Sequence, residues 1–141
     1  MEKERRERVP SAPPLVAKEA ASPARILVVE DQPMVAQVIG RTLRRSGHEV
    51  LVTGQPSEAE AIFDRQPEID LVLCDVVMSE MRGPLLIQRL RGRGRPFEVL
   101  FVTGYSQELV DQQLGEAVLA KPFTPKELRE AVNQLLALRA A

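Results

Sequence analysis

Three carboxylates stand at the ends of two apolar runs: Glu30 and Asp31 follow ILVV at 26–29, and Asp75 follows LVLC at 71–74. If the fold brings them together, two full charges about 4 Å apart cost roughly 4 kcal/mol at an effective dielectric near 20, so the cluster wants a cation. An all-oxygen set without histidine or cysteine favours magnesium, manganese or calcium over zinc. Magnesium is the expected cofactor, with manganese able to replace it. Two further runs end in groups of the opposite kind, the hydroxyl of Thr103 and the ammonium of Lys121. A cation on one side of Asp75 and two donors on the other would stabilise the negative charge that develops on a phosphoryl group in transfer. Taken singly, each residue has a plainer role: Asp31 can cap a helix, Lys121 can be a solvated charge, and Thr103 can be a strand former. Only convergence gives them a shared chemistry.

Convergence depends on the elements that carry these residues. From Arg25 onward, short apolar runs alternate with segments of helical period, the pattern of βα units around a parallel sheet. Strands are expected at Ile26 to Val29, Glu49 to Thr53, Ile69 to Cys74, Phe97 to Val102 and Ala117 to Ala120. Val35, Val38, Ile39, Thr42 and Leu43 form an amphipathic stripe between Pro33 and Gly47. In the last helix Thr124 can cap, Pro125 suits the first position, Glu127 completes a capping box, and Leu128, Ala131, Val132, Leu135 and Leu136 make one apolar stripe. Helices are also expected over 56–66 and 84–91, the second ending in a mobile basic loop at Gly92 and Gly94. At most a short helix fits between Ser106 and Gly115. The expected fold is α/β, a doubly wound five-stranded parallel sheet with helices on both faces. Ligands of such sheets bind outside the carboxyl ends of the strands, where the strand order reverses. The first and third strands are neighbours there, which places Glu30, Asp31 and Asp75 in one locus.

With 141 residues the chain has room for one domain, expected over 25–141, and residues 1–24 differ from it. Charges of both signs cluster in Glu2 to Arg8, and prolines follow at 10, 13, 14 and 23, so this segment is expected to be a flexible tail or linker. Apolar residues make up 44% and charged residues 28%, ordinary globular usage, and no run approaches the roughly 20 apolar residues that span a bilayer. Met1 is followed by Glu2, Lys3, Glu4, Arg5 and Arg6 rather than by an apolar leader. The lone Cys74, inside an apolar run, reads as a buried reduced thiol, and a cytoplasmic location is expected. A net charge of -1 gives no general attraction to nucleic acid or anionic membranes. Arg91, Arg93 and Arg95 lack the aromatic neighbours of a nucleic-acid site and read as a solvated loop. His48, the only histidine, reads as a surface or edge residue.

Four segments also carry a resemblance. ILVVED at 26–31, LVLCDVVMSEMRG at 71–83, FVTGY at 101–105 and AKPF at 120–123 resemble, in order and spacing over residues 25 to 139, the successive motifs of response-regulator receiver domains of two-component systems. The resemblance implies a flavodoxin-like strand order 2-1-3-4-5 and a phosphoacceptor at Asp75. It implies that Asp31 and Asp75 bind magnesium directly, that Glu30 helps largely through water, and that the Val77 carbonyl supplies a backbone ligand. Thr103 and Lys121 would hold the phosphoryl oxygens, and the bond from Lys121 to Pro122 would be cis. Implied partners are a sensor histidine kinase or histidine phosphotransfer protein as donor and a downstream protein as receiver of the signal. No nucleic acid and no membrane insertion are expected, nor is a DNA-binding output domain after the last helix. The chain is expected to be a switch rather than an enzyme, with autocatalytic phosphotransfer and autodephosphorylation only. It would be a stand-alone receiver, a phosphate sink or relay, or the C-terminal receiver of a hybrid histidine kinase.

Three departures from the family pattern modify these expectations. Ser79 stands where proline is usual and should loosen the loop after Asp75. Val118 replaces a switching Tyr or Phe, which shifts the expected response to phosphorylation onto residues 103–116. The TGY sequence and the short stretch from Thr103 to Lys121 resemble receivers with a reduced fourth helix. By family geometry Val77 and Tyr105 flank the approach of water, and their bulk is expected to slow hydrolysis of phospho-Asp75. A haloacid dehalogenase phosphatase would need a second Asp two residues beyond the nucleophile, where Val77 stands. A flavodoxin-like nucleotide binder would need a phosphate loop that Glu30 and Asp31 do not repel.

Overall fold

The structure is a computed structural model that describes residues 23–104 and 115–140. Nearly all of the expected tail, the expected short helix after Ser106, and Tyr105 lie outside the described residues. The elements run β1 (Arg25–Val29), α1 (Pro33–Arg45), β2 (Glu49–Thr53), α2 (Pro56–Arg65), β3 (Leu71–Asp75), α3 (Gly83–Arg91), β4 (Glu98–Thr103), β5 (Ala117–Ala120) and α4 (Pro125–Ala140). All four strand pairings are parallel, in the order β2-β1-β3-β4-β5. This is the doubly wound sheet expected from the sequence. The third strand begins later than its apolar run, because Asp70 is engaged before the ladder starts: its carboxylate accepts from the Arg25 N–H at 2.9 Å and faces Arg139 at 3.2 Å.

The central strands read as unbroken apolar runs because both faces are covered. Ile26, Val28, Leu71, Leu73, Leu100 and Val102 pack with Ile39 and Leu43 of α1 and Leu128 and Val132 of α4. The alternate residues Leu27, Val29, Val72, Cys74, Val99 and Phe101 pack with Phe63 of α2 and Leu86 and Leu90 of α3. Helices α1, α2 and α3 each open on a proline within the first two positions, where a missing N–H costs nothing. Among the described residues, only α4 shows a reciprocal cap: the Thr124 N–H donates to Glu127 Oε1 at 2.8 Å, and the Glu127 N–H donates to Thr124 Oγ1 at 3.1 Å.

Two expectations are refined. The arginines at and after the end of α3 are largely solvent-exposed, as expected, but each guanidinium has a partner. Arg91 donates to the Phe97 carbonyl at 2.8 Å, pairs with Glu116 at 3.0 Å and lies 4.4 Å over the Phe97 ring. Arg93 makes two bonds to the Asp64 carboxylate at 2.9 and 3.1 Å, and Arg95 lies 4.0 Å over the Phe63 ring while donating to the Phe63 and Gln66 carbonyls. Both rings are core residues: Phe63 belongs to α2, and Phe97 lies two residues beyond Arg95, just before β4.

His48 directly precedes β2, the edge strand of the sheet, as expected, but it is not at the surface: it is 5% exposed, and its Nδ1 accepts the Ala24 N–H at 3.0 Å. Burial lowers its pKa, with the Asp70 charge opposing. The folded pKa therefore lies below the unfolded one, so the stability His48 contributes is whole above about pH 6.5 and is lost as pH falls through the folded pKa. Protonation would also turn the acceptor of the Ala24 bond into a donor. Denaturant midpoints at pH 7.5 and 5.5 should fall less in His48→Asn, whose amide oxygen can still accept, than in the unaltered protein. Equal falls would show that His48 does not carry this dependence.

Candidate functional site

The carboxyl ends of the strands bring the sequence-derived residues together. Glu30 follows β1 and is held there by the sheet edge, its N–H donating to the Thr53 carbonyl of β2 at 3.0 Å. Asp75 ends β3, in register with Val102 of β4, and Lys121 follows β5, its N–H donating to the Thr103 carbonyl at 2.8 Å. Ligand oxygens of Glu30, Asp31 and Asp75 lie within 4.8 Å of one another. Glu30 and Asp75 are buried at 1% and 5% exposure, and Thr103 is buried beside them at the end of β4.

One ammonium serves two of the three acids. Lys121 Nζ lies 3.0 Å from Glu30 Oε1 and 3.2 Å from Asp75 Oδ2. Burial raises the Glu30 pKa, and the Gln32 N–H and Lys121 pull against it while the charge of Asp75 adds to it. For Lys121 burial acts downward, but Glu30 and then Asp75 outweigh it and leave the pKa raised. Folding thus favours a charged Lys121. Three carboxylates against one ammonium leave an excess of negative charge, in a set of oxygen donors with no soft ligand among them. This donor set fits a hard divalent cation such as magnesium or manganese. Glu30, Asp31 and Asp75 are the side chains that would hold it.

Residues that the sequence reading passed over complete the site. Gln32 Oε1 accepts from Lys121 Nζ at 3.0 Å, and the Gln32 N–H donates to Glu30 Oε2 at 3.1 Å, so one residue steadies both partners of an ion pair. Its position directly after Glu30 and Asp31 was the available signal. Gly83 was quoted only as part of a motif. A Cβ there would stand 2.2 Å from the Asp75 carbonyl oxygen and 3.1 Å from Cys74 Sγ, so the start of α3 abuts the end of β3 without room for any side chain. Its N–H donates to the Val76 carbonyl at 2.8 Å. Ser79, expected to loosen its loop, donates its N–H to Asp31 Oδ2 at 3.1 Å, so that loop is tied to the site. Val77 lies in the same loop at 37% exposure, its N–H 3.3 Å from Asp75 Oδ1. The bond from Lys121 to Pro122 is cis. Cys74 is buried, and burial pushes its thiol pKa up, with the charges of Asp75 and Glu30 adding to the effect. An inert core thiol is the consequence.

The family model for the response regulator receiver domain matches residues 26–133. The chain belongs to this family. Among curated relatives, this receiver domain is 32% identical over 117 residues to the two-component response regulator PprB of Pseudomonas aeruginosa, covering 78% of the chain and 42% of PprB. It is 33% identical over 125 residues to the sensor kinase CckA of Brucella abortus, covering 85% of the chain and 13% of the kinase. The chain thus spans less than half the length of either relative. Among solved structures, the receiver domain of the hybrid histidine kinase CckA superposes with a TM-score of 0.69 at 38% identity, covering 79% of this chain and 98% of that one. The chemotaxis protein CheY4 of Vibrio cholerae superposes with a TM-score of 0.73 at 24% identity, covering 81% and 99%, a likeness of fold. Among the described residues, no helix of this receiver domain is long and apolar enough to cross a membrane.

Proposed function

We propose that this receiver domain accepts a phosphoryl group on Asp75 from a phosphohistidine partner, in a magnesium-dependent step, and uses the change to switch protein contacts. The observation that carries the reading is the placement of Asp75 between two other carboxylates and the Lys121 ammonium. A carboxylate oxygen of Asp75 attacks phosphorus; the bond from phosphorus to the donor imidazole nitrogen breaks, and its electron pair stays on that nitrogen, which is then protonated. A bound divalent cation would neutralise charge on the phosphoryl oxygens. Lys121 pairs with phosphoryl oxygen as the charge arrives, and the Thr103 hydroxyl donates to another. The Val77 carbonyl is the proposed backbone ligand for the cation, and the Val77 side chain, with Tyr105, the proposed screen against attacking water. The domain takes up and loses phosphate without turnover of a separate substrate, so it acts as a switch, in the cytoplasm where histidine kinases present their phosphohistidine. Incubation with a small-molecule phosphodonor should label Asp75 in peptide mass analysis only when magnesium is present. Labelling elsewhere, or labelling indifferent to a chelator, would sink the assignment.

The donor's approach has a footing in an apolar hollow of about 490 Å³ that begins at Lys121. It is lined by Met34, Val35, Val38, Pro122 and Phe123, with Met34 79% and Val38 47% exposed. Apolar side chains beside a charged site suit a partner helix that lays its own apolar face there and presents its phosphohistidine to Asp75. Met34→Asp with Val38→Asp should slow transfer from a protein donor about tenfold or more, the effect of losing roughly 1.4 kcal/mol of contact. Labelling by the small phosphodonor should stay unchanged. Equal slowing with both donors would place the effect in the site instead of the contact.

A second reading is favoured by the 38% identity to the CckA receiver domain: a receiver that works within or beside a hybrid kinase, as relay or phosphate sink. Transfer assays against a set of histidine kinases and histidine phosphotransfer proteins separate the two. A relay returns phosphate to a phosphotransfer protein, whereas a switch retains it.

A further inference from the structure

The three acids of the site are not held alike. Glu30 has the Gln32 N–H and Lys121, and Asp75 has the Val77 N–H and Lys121. Asp31 has the Ser79 backbone N–H, at 3.1 Å and 48 residues away in the chain. That amide is itself fixed at both ends of its loop. On one side Glu80 Oε1 accepts the Ser57 N–H at 3.0 Å, an unpaired donor of the first turn of α2. On the other, Gly83 N–H is bonded to the Val76 carbonyl at 2.8 Å. A charge-assisted bond from a fixed amide to one carboxylate oxygen sets the rotation of the group and leaves its second oxygen, Oδ1, for another partner.

From this geometry we infer that Ser79 is a positioning residue for the cation site, acting through its backbone N–H to orient Asp31. The inference rests on the proposed metal-binding role of Asp31. A proline at 79 would have no N–H to give, and alanine would keep it. The serine hydroxyl plays no part.

Magnesium titration by calorimetry on the whole chain provides the test, for the unaltered protein, Ser79→Ala, Ser79→Pro, Asp31→Asn and the pair Asp31→Asn with Ser79→Pro. Outer partners that orient metal ligands typically change affinity about 10- to 100-fold when removed. Ser79→Ala should bind within about twofold of the unaltered protein and Ser79→Pro about tenfold more weakly. In the Asp31→Asn background the proline should cost nothing further, because the two changes remove one interaction. Full affinity in Ser79→Pro, loss in Ser79→Ala, or an undiminished proline effect without Asp31 would each overturn the inference. A second measurement needs neither metal nor proline: the Ser79 amide proton resonance of metal-free protein should shift upfield in Asp31→Asn as its charged acceptor is lost. An unmoved resonance would refute the bond. If Asp31→Asn moves that resonance yet binds magnesium like the unaltered protein, the metal role of Asp31 fails while the bond itself stands.

Discussion

Asp75→Asn is expected to lose phosphoryl uptake altogether and, in the absence of metal, to be more stable than the unaltered protein. The first effect follows from chemistry, since a carboxamide oxygen is a poor nucleophile and the acyl phosphate cannot form. The second follows from electrostatics. Asp75 shares a space of 4.8 Å with Glu30 and Asp31 and has one cationic neighbour, Lys121, at 3.2 Å. Removing its charge relieves two repulsions and gives up one attraction, and Lys121 keeps Glu30 at 3.0 Å. A gain of about 1 kcal/mol, or several degrees in Tm, is the expected size. Magnesium should raise the Tm of the unaltered protein and do so much less for the variant. Thermal denaturation with magnesium or with chelator measures both. A less stable metal-free variant would mean that Lys121 already neutralises the cluster, and the case for a cation would weaken.

Gly83→Ala should be the most damaging single-methyl change in the domain. The added Cβ would lie 2.2 Å from the Asp75 carbonyl oxygen and 3.1 Å from the Asp75 carbonyl carbon and the buried Cys74 sulfur, so the closest clash is with backbone that cannot simply swing aside. Overpacking of this kind costs about 3 kcal/mol, a fall of roughly 10 °C in Tm for a domain of this size. Because the obstructed atom belongs to Asp75, relief of the clash moves the phosphoacceptor. Labelling by a small phosphodonor should therefore slow at temperatures where the variant remains folded. Gly104→Ala is the control, since a Cβ there meets nothing within 4 Å. Circular dichroism melts and labelling rates of the two variants decide the matter; equal behaviour would show that α3 can retreat at little cost.

The fold was legible in the sequence because its signals are local. Continuous runs such as Leu71–Cys74 are what strands covered on both faces require, and the Thr124/Glu127 box marks a helix start wherever it occurs. The meeting of Glu30, Asp31, Asp75 and Lys121 was legible one step later, once the strand order placed their loops together. What escaped depends on backbone and on distance. Gly83 matters through a carbonyl eight residues earlier, and its backbone is in no left-handed conformation that would announce it. Ser79 acts through an amide that nearly every residue type possesses. His48 is buried because the Ala24 N–H needs an acceptor, and Gln32 matters only after Lys121 has arrived from 89 residues away.

The pinned arginines have a practical consequence. Arg91 and Arg93, each followed by glycine, offer two scission points to a protease that cuts after basic side chains, whereas Pro96 blocks cleavage after Arg95. Arg91 ends α3 and is held by Glu116 and the Phe97 ring, and Arg93 is held by Asp64 and Glu60, so a protease must draw each side chain away from these contacts before it can cut. Cleavage at this connection then reports the release of these contacts, and its rate falls with whatever holds the end of α3 in place. A trypsin time course with and without magnesium would turn Arg91 and Arg93 into a built-in gauge of cation binding.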